Sequence, residues 1–149
     1  MLIESRPSDD AELVTLVTAR QRELCLADGG LDGHVAVLRD GARYLVGVIG
    51  GRAVACGALQ PLDAETAEVK RIYVRPAHRR RGIAGQLLAA LEELAYLAGH
   101  TVLRIETRRY SPAAIGLYTS SGYGRIPAYG EYASDPYSVC FEKRLAVAV

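Results

Sequence analysis

Cysteine is scarce in this chain of 149 residues: Cys25, Cys56 and Cys140 are odd in number, widely spaced and free of any Cys-x-x-Cys pair. That argues against a disulfide framework and against a zinc knuckle, and leaves buried cytosolic thiols. Long apolar runs are missing as well. No stretch approaches about 18 uninterrupted apolar residues, and the start, with Glu4 and Arg6, lacks the apolar centre of a signal peptide. A cytoplasmic protein with no membrane partner is expected. Net charge is almost absent, at +1, so nothing draws the whole chain to a polyanion, and any anion site must act locally, within about 10 Å. His34, His78 and His100 share no metal-ligand spacing; no metal is assigned, and His78 reads as a solvated loop residue.

Half of the residues are hydrophobic and 23% are charged, which suits one self-folding domain over residues 1–149. Ser8 or a following Asp can cap a helix carrying Leu13, Leu16, Val17 and Leu24 on one face, fading by Gly29-Gly30. Strands are expected at 44–49 and 53–59, with Gly50-Gly51 as their hairpin turn. In the next strand, 66–74, apolar Ala67 and Val69 give way to Ile72 and Val74. The period of two slips by one residue around Lys70-Arg71, as a β-bulge makes it do.

Ile83, Leu87, Leu91, Leu94 and Ala98 then recur at helical spacing up to Gly99, and 101–107 reads as a strand, so a strand-loop-helix-strand crossover is expected. Ser111-Pro112 offers an N-cap and first helical position for a short helix ended by Gly122. A polar, tyrosine-rich loop follows, and then a last strand at 138–145.

The chemistry concentrates in Arg79-Arg80-Arg81-Gly82-Ile83-Ala84-Gly85, between the bulged strand and its helix. Small residues let backbone amides approach a ligand, and a helix N-terminus adds about half a positive charge, so the place suits a phosphate. As a bare charge run it would be a solvated turn or a nucleic-acid patch; its register at a helix start, with glycine where the backbone must be bare, favours a phosphorylated cofactor over a polymer. It has neither the Gly-Lys-Ser/Thr ending of an ATP loop nor the Gly-x-Gly-x-x-Gly of a dinucleotide site.

Val74-Arg75-Pro76-x-x-Arg79-x-x-Gly82-Ile83-Ala84-x-x-Leu87-Leu88 resembles the pyrophosphate-binding motif of the GNAT superfamily of N-acetyltransferases, Arg/Gln-x-x-Gly-x-Gly/Ala. A second segment, from Ser111 through Ile115, Leu117 and Tyr118 to Gly122-Tyr123, resembles that family's Asn-x-x-Ala-Ile-x-Leu-Tyr-x-x-x-Gly-Phe/Tyr. The resemblance covers roughly residues 40–145. It implies an α/β (α+β) domain with a mixed central sheet of six to seven strands, splayed at the cofactor site and flanked by about four helices. It implies acetyl-CoA as co-substrate, with Arg79, Arg80, Arg81, Gly82, Ile83, Ala84 and Gly85 about its pyrophosphate and the bulged strand at Ile72, Tyr73 and Val74 along its pantetheine arm. Ser111 stands where the family often has asparagine, with shorter reach to the cofactor.

The same resemblance makes Tyr118 the proton donor to the departing thiolate, which a phenol with a pKa near 10 suits. Without the motif it would be one packed tyrosine among nine. Glu68 sits where some family members carry a general base, and an amine with a pKa near 10 does need one. It reads equally as an exposed carboxylate paired with Lys70 or Arg104. Substrate-lining candidates are the loop with Tyr129, Glu131, Tyr132 and Asp135, and residues 28–34, since loops on a rigid scaffold carry specificity. The expected partner is a small-molecule or peptide amine, not nucleic acid, and a homodimer is compatible with the chain. The alternative is an acyl-CoA-binding module without turnover.

Overall fold

The computed structural model describes residues 1–27 and 41–145. Leu2–Arg6 forms β1, an edge strand that pairs antiparallel with β2 (Arg43–Ile49). Between them runs α1 (Ala11–Ala27), whose first turn is capped by Asp10: its Oδ2 accepts the Leu13 amide at 3.0 Å. Leu13 and Leu16 are fully buried beneath it. Gly50 and Gly51, with φ of 59° and 77°, turn β2 into β3 (Arg52–Pro61). A two-residue hairpin of this hand requires positive φ at both positions.

β3 pairs antiparallel with β4 (Thr66–Val74), and the register jumps where Cys56 faces Tyr73 but Ala58 faces Lys70. The extra residue lies on β4, where Arg71 has φ of 59°. This is the bulge that the apolar slip predicts, and it inverts the side chains beyond it. Opposite the bulge, Gly57 of β3 leaves room for the side chain of Leu91, from which a Cβ there would stand only 2.9 Å.

From Pro76 the chain passes a 3-10 turn into α2 (Ile83–Leu97), which ends at Gly99, φ 92°, and leads to β5 (Val102–Arg108). β5 runs parallel to β4, but pairing stops at Val69 and Ile105 although both strands continue. The bulge bends β4 away at that level, so the sheet opens there. α3 (Pro112–Ser120) follows, then β6 (Gly124–Ile126), a 3-10 turn at Gly130–Ser134 and β7 (Ser138–Arg144), which closes on β5.

The seven strands lie in the order β1-β2-β3-β4-β5-β7-β6, mixed as expected. Two apolar clusters cover the faces: α2 packs Leu87, Leu88 and Leu91 onto Val69, Leu103 and Ile105, while α1 packs Leu13 and Leu16 with Cys56 and Tyr73. Among the described residues there are three α-helices, where about four are expected. The surrounding turns at Pro76 and Gly130 are single 3-10 turns, too short to bury a face. None of the described helices is long and apolar enough to cross a membrane.

Candidate active site

The opening between β4 and β5 is the mouth of a cavity of about 940 Å3. Its walls come from α1, β4, the loop into α2, β5, α3 and the turn before β7. A volume of this order is that of a cofactor or ligand cleft.

At the α2 end, Arg80 and Gly82 both hold positive φ, 65° and 76°. Gly82 is the N-cap; among the described residues no side chain caps the helix, and a Cβ on Gly82 would meet nothing within 4 Å. The first-turn amides are therefore left for an outside acceptor, and the local dipole favours an anion. Arg79 does not reach over this loop. Its guanidinium forks onto Glu23 of α1 at 2.9 and 2.7 Å, its Nε donates to the Val74 carbonyl, and its face lies over Tyr73. Ser111 occupies the N-cap position of α3, but its hydroxyl makes no capping bond and faces the same cavity.

Tyr118 is buried at the cavity wall, its ring set edge-on to Phe141 and tilted against Tyr123. Burial pushes its phenol up to about 12, partly offset by the nearby Arg20 guanidinium. It is thus protonated throughout the physiological range. Arg20, on α1, lines the cavity without a salt bridge or hydrogen bond among the described residues, and burial lowers its pKa. The Cys56 thiol, donating to the Arg71 carbonyl at 3.4 Å, is pushed up to about 11 by burial. It is no nucleophile at neutral pH.

Glu68 is buried, not an exposed strand carboxylate, because the turn at Gly130–Ser134 folds over that face of the sheet. Tyr132 donates its hydroxyl to Glu68 Oε2 at 2.7 Å, and Lys70 lies 3.8 Å from the other oxygen and 3.7 Å from exposed Glu131. Arg104 pairs instead with Glu142. The Tyr129 hydroxyl is buried without a hydrogen-bond partner among the described residues; burial first, and then the Glu68 charge, drives its pKa above the phenol range.

Sheet register puts a second carboxylate on the same face: Glu68 is level with Arg104, so Glu106 points the same way on β5. Glu106 accepts the Ser138 hydroxyl at 2.6 Å and lies 3.5 Å from Arg108, which is held by Asp135 at 2.6 Å. Burial nonetheless raises the Glu106 pKa.

The cavity gathers Glu68, Ile72, Tyr73, Val74, Arg79, Arg80, Gly82, Ile83, Ala84, Gly85, Ser111, Tyr118 and Glu131. Arg81 and Tyr129 are not on its wall, and residues 28–34 lie outside the described residues. His78, expected in solvent, is half-buried on the wall, its Nδ1 without a partner among the described residues, because the 3-10 turn tucks it back. Sequence reading misses Arg20, Glu23 and Glu106. The first two lie on a helix with no motif. Glu106 does carry a signal, since it lies in phase with Arg104 on β5 while Leu103 and Ile105 take the opposite, apolar face.

A family model described as the acetyltransferase (GNAT) family matches residues 10–123. Over 105 residues, 69% of the chain and 68% of the relative, the sequence is 38% identical to an IAA acetyltransferase of Azospirillum brasilense. The fold matches that of a crystal structure described as an acyl-CoA N-acyltransferase from Klebsiella pneumoniae with a TM-score of 0.82 and 35% identity, over 97% of both chains. It matches a GNAT family acetyltransferase from Elizabethkingia anophelis, solved with acetyl-CoA bound, with a TM-score of 0.74 over 97% of both chains; at 20% identity that likeness is one of fold.

Proposed function

Since this chain belongs to the acetyltransferase (GNAT) family, we propose that it transfers the acetyl group of acetyl-CoA to a primary amine of a small molecule or peptide, both substrates being bound together. The observation that carries this reading is the cavity itself. It joins an uncapped helix N-terminus, an unpaired strand edge beyond Val69, a buried phenol and two carboxylates in one space.

Acetyl-CoA supplies a thioester carbonyl and a thiol leaving group. The amides of residues 80–85 and the start of α2 take its pyrophosphate, as the open space at Gly82 permits. The β4 backbone beyond the bulge is free of β5 and accepts an extended amide chain as a strand would. Glu68 takes a proton from the ammonium and passes it to solvent; the free amine then forms the new C–N bond while the C–S bond breaks, and the nitrogen loses its second proton to solvent as the amide forms. Tyr118 gives its proton to the departing sulfur and is reprotonated from solvent. Tyr132 holds Glu68 in one rotamer. The acceptor's amine enters beneath the loop that carries Tyr132 and Glu131.

Glu106 is a second reading for the base, favoured by its raised pKa, because a base works best when its pKa approaches the working pH. An acetyl-cysteine relay has no support from Cys56, a buried protonated thiol.

The test is free-thiol release from acetyl-CoA against a panel of amines. Release with one acceptor class supports the enzyme, and comparison of Glu68→Gln with Glu106→Gln assigns the base. Tight acetyl-CoA binding with no release on any amine makes the chain a binding module instead.

A further inference from the structure

We propose that the acceptor is an amino-carboxylate: Arg20 holds its carboxylate while Glu68 and Glu106 face its amine. This rests on the acetyl-transfer reading above and names the substrate class of that site.

Leu13, Leu16, Val17, Arg20 and Leu24 form one stripe of α1, spaced for a single helical face. The first two are fully buried against the sheet, and Val17, Arg20 and Leu24 continue onto the cavity wall. An arginine therefore stands where the stripe calls for a leucine. A guanidinium drawn from bulk water demands a partner, and the described residues give Arg20 neither an ion pair nor a hydrogen bond. Arg79, by contrast, is satisfied by Glu23 from the same helix.

A second cation deepens the demand. Arg71 lines the same cavity at the strained bulge, likewise without an ion pair among the described residues, and its charge reaches Arg20 and opposes it. Two like charges facing one space without a counter-ion form an anion site. Glu106 is near enough to attract Arg20 but is engaged by Ser138 and Arg108. The Tyr118 hydroxyl is also within reach of Arg20's field, so the anion would lie beside the reacting centre.

The local arrangement of charge selects the anion. Away from the loop at the start of α2, the wall sets Arg20 and Arg71, neither ion-paired among the described residues, against the carboxylates of Glu68 and Glu106. A zwitterion matches that set end for end, whereas a phosphate dianion would be repelled by the carboxylates. Planar guanidinium and planar carboxylate also pair through two parallel hydrogen bonds, which fixes orientation.

The experiment measures kcat/KM for a panel of amino acids and for the matching amino-acid amides, which keep the amine and lose the charge. Wild type is expected to favour the acid by about 30- to 1000-fold, the range for a desolvated charge pair. Arg20→Ala should collapse that acid-to-amide ratio towards one, and Arg20→Lys should keep part of it. In parallel, calorimetry follows binding of the amino acid to protein saturated with coenzyme A, which needs no turnover. Binding that is lost in Arg20→Ala supports the carboxylate site even if no amine releases thiol, and in that case it is the acetyl-transfer reading that fails. Equal use of acid and amide by wild type, or a ratio unchanged in Arg20→Ala, overturns the proposal.

Discussion

The Tyr132 hydroxyl donates to the Glu68 carboxylate across 2.7 Å, tying the turn before β7 to the strand that bears the bulge, 64 positions away in sequence. This bond turns a strand carboxylate into a buried, oriented one. It also makes the turn part of the site.

Two substitutions separate those roles. Glu68→Gln keeps an oxygen for Tyr132, so the melting temperature should hold while turnover falls by about 100- to 10000-fold, as for loss of a general base. Tyr132→Phe leaves a buried carboxylate short of a donor and should cost about 1 to 3 kcal/mol of stability in a denaturant titration. If Glu68→Gln retains full turnover, the base is elsewhere, and Glu106 is the next residue to replace.

For Tyr118, replacement by Phe preserves the ring contacts to Phe141 and Tyr123, so acetyl-CoA affinity by calorimetry should be nearly unchanged. Turnover should drop by about 10- to 1000-fold, the loss of a proton donated only in the transition state. Because burial holds the phenol up near 12, wild type should show no basic limb from this residue below about pH 10. Unchanged turnover would assign the proton to water or to the acceptor.

Gly82→Asp addresses the cofactor loop. A carboxylate at an N-cap favours the helix, which offsets the cost, about 1 kcal/mol, of a side chain at positive φ. The protein should therefore fold. Its new charge faces the place of the pyrophosphate, so the rise in melting temperature that millimolar acetyl-CoA gives wild type should vanish. A full shift in the variant would remove this loop from the cofactor site.

Much of this is legible in the sequence, for identifiable reasons. The bulge is visible because one extra residue inverts the apolar alternation, and the loop because Gly82 and the arginines sit at a helix start. The glycines at 50, 51, 99 and 122 each hold the positive φ that their turns require. β1 is not legible because its edge position leaves Leu2 exposed and brings in Glu4 and Arg6, so no buried face shows in its sequence. β6 is three residues long and carries no period. The ion pair of Glu23 with Arg79 joins residues 56 apart, a relation that local spacing does not encode. Glu68 is legible as a candidate, but its burial depends on a turn that closes from the far end of the chain.

Glu106 also makes the stability of the fold depend on pH. Its carboxyl is raised above the ordinary carboxylate range, chiefly by burial, with Asp135 and Glu68 adding to the rise and Ser138 and Arg108 opposing it. A raised acid keeps its proton longer when folded than when unfolded. Its stabilising contribution is therefore complete below the unfolded value, is lost as pH rises through the folded one, and leaves a penalty at neutrality. Glu106→Gln is neutral at every pH and still accepts the Ser138 hydroxyl through its amide oxygen. The variant should match wild type near about pH 4 and melt higher than wild type near about pH 8. Melting curves across that range, run without ligands, measure the difference. A variant that is less stable at about pH 8 than wild type would mean that Arg108 and Ser138 outweigh burial. Glu106 would then be an ordinary ionised carboxylate, and its candidacy as the base would lapse.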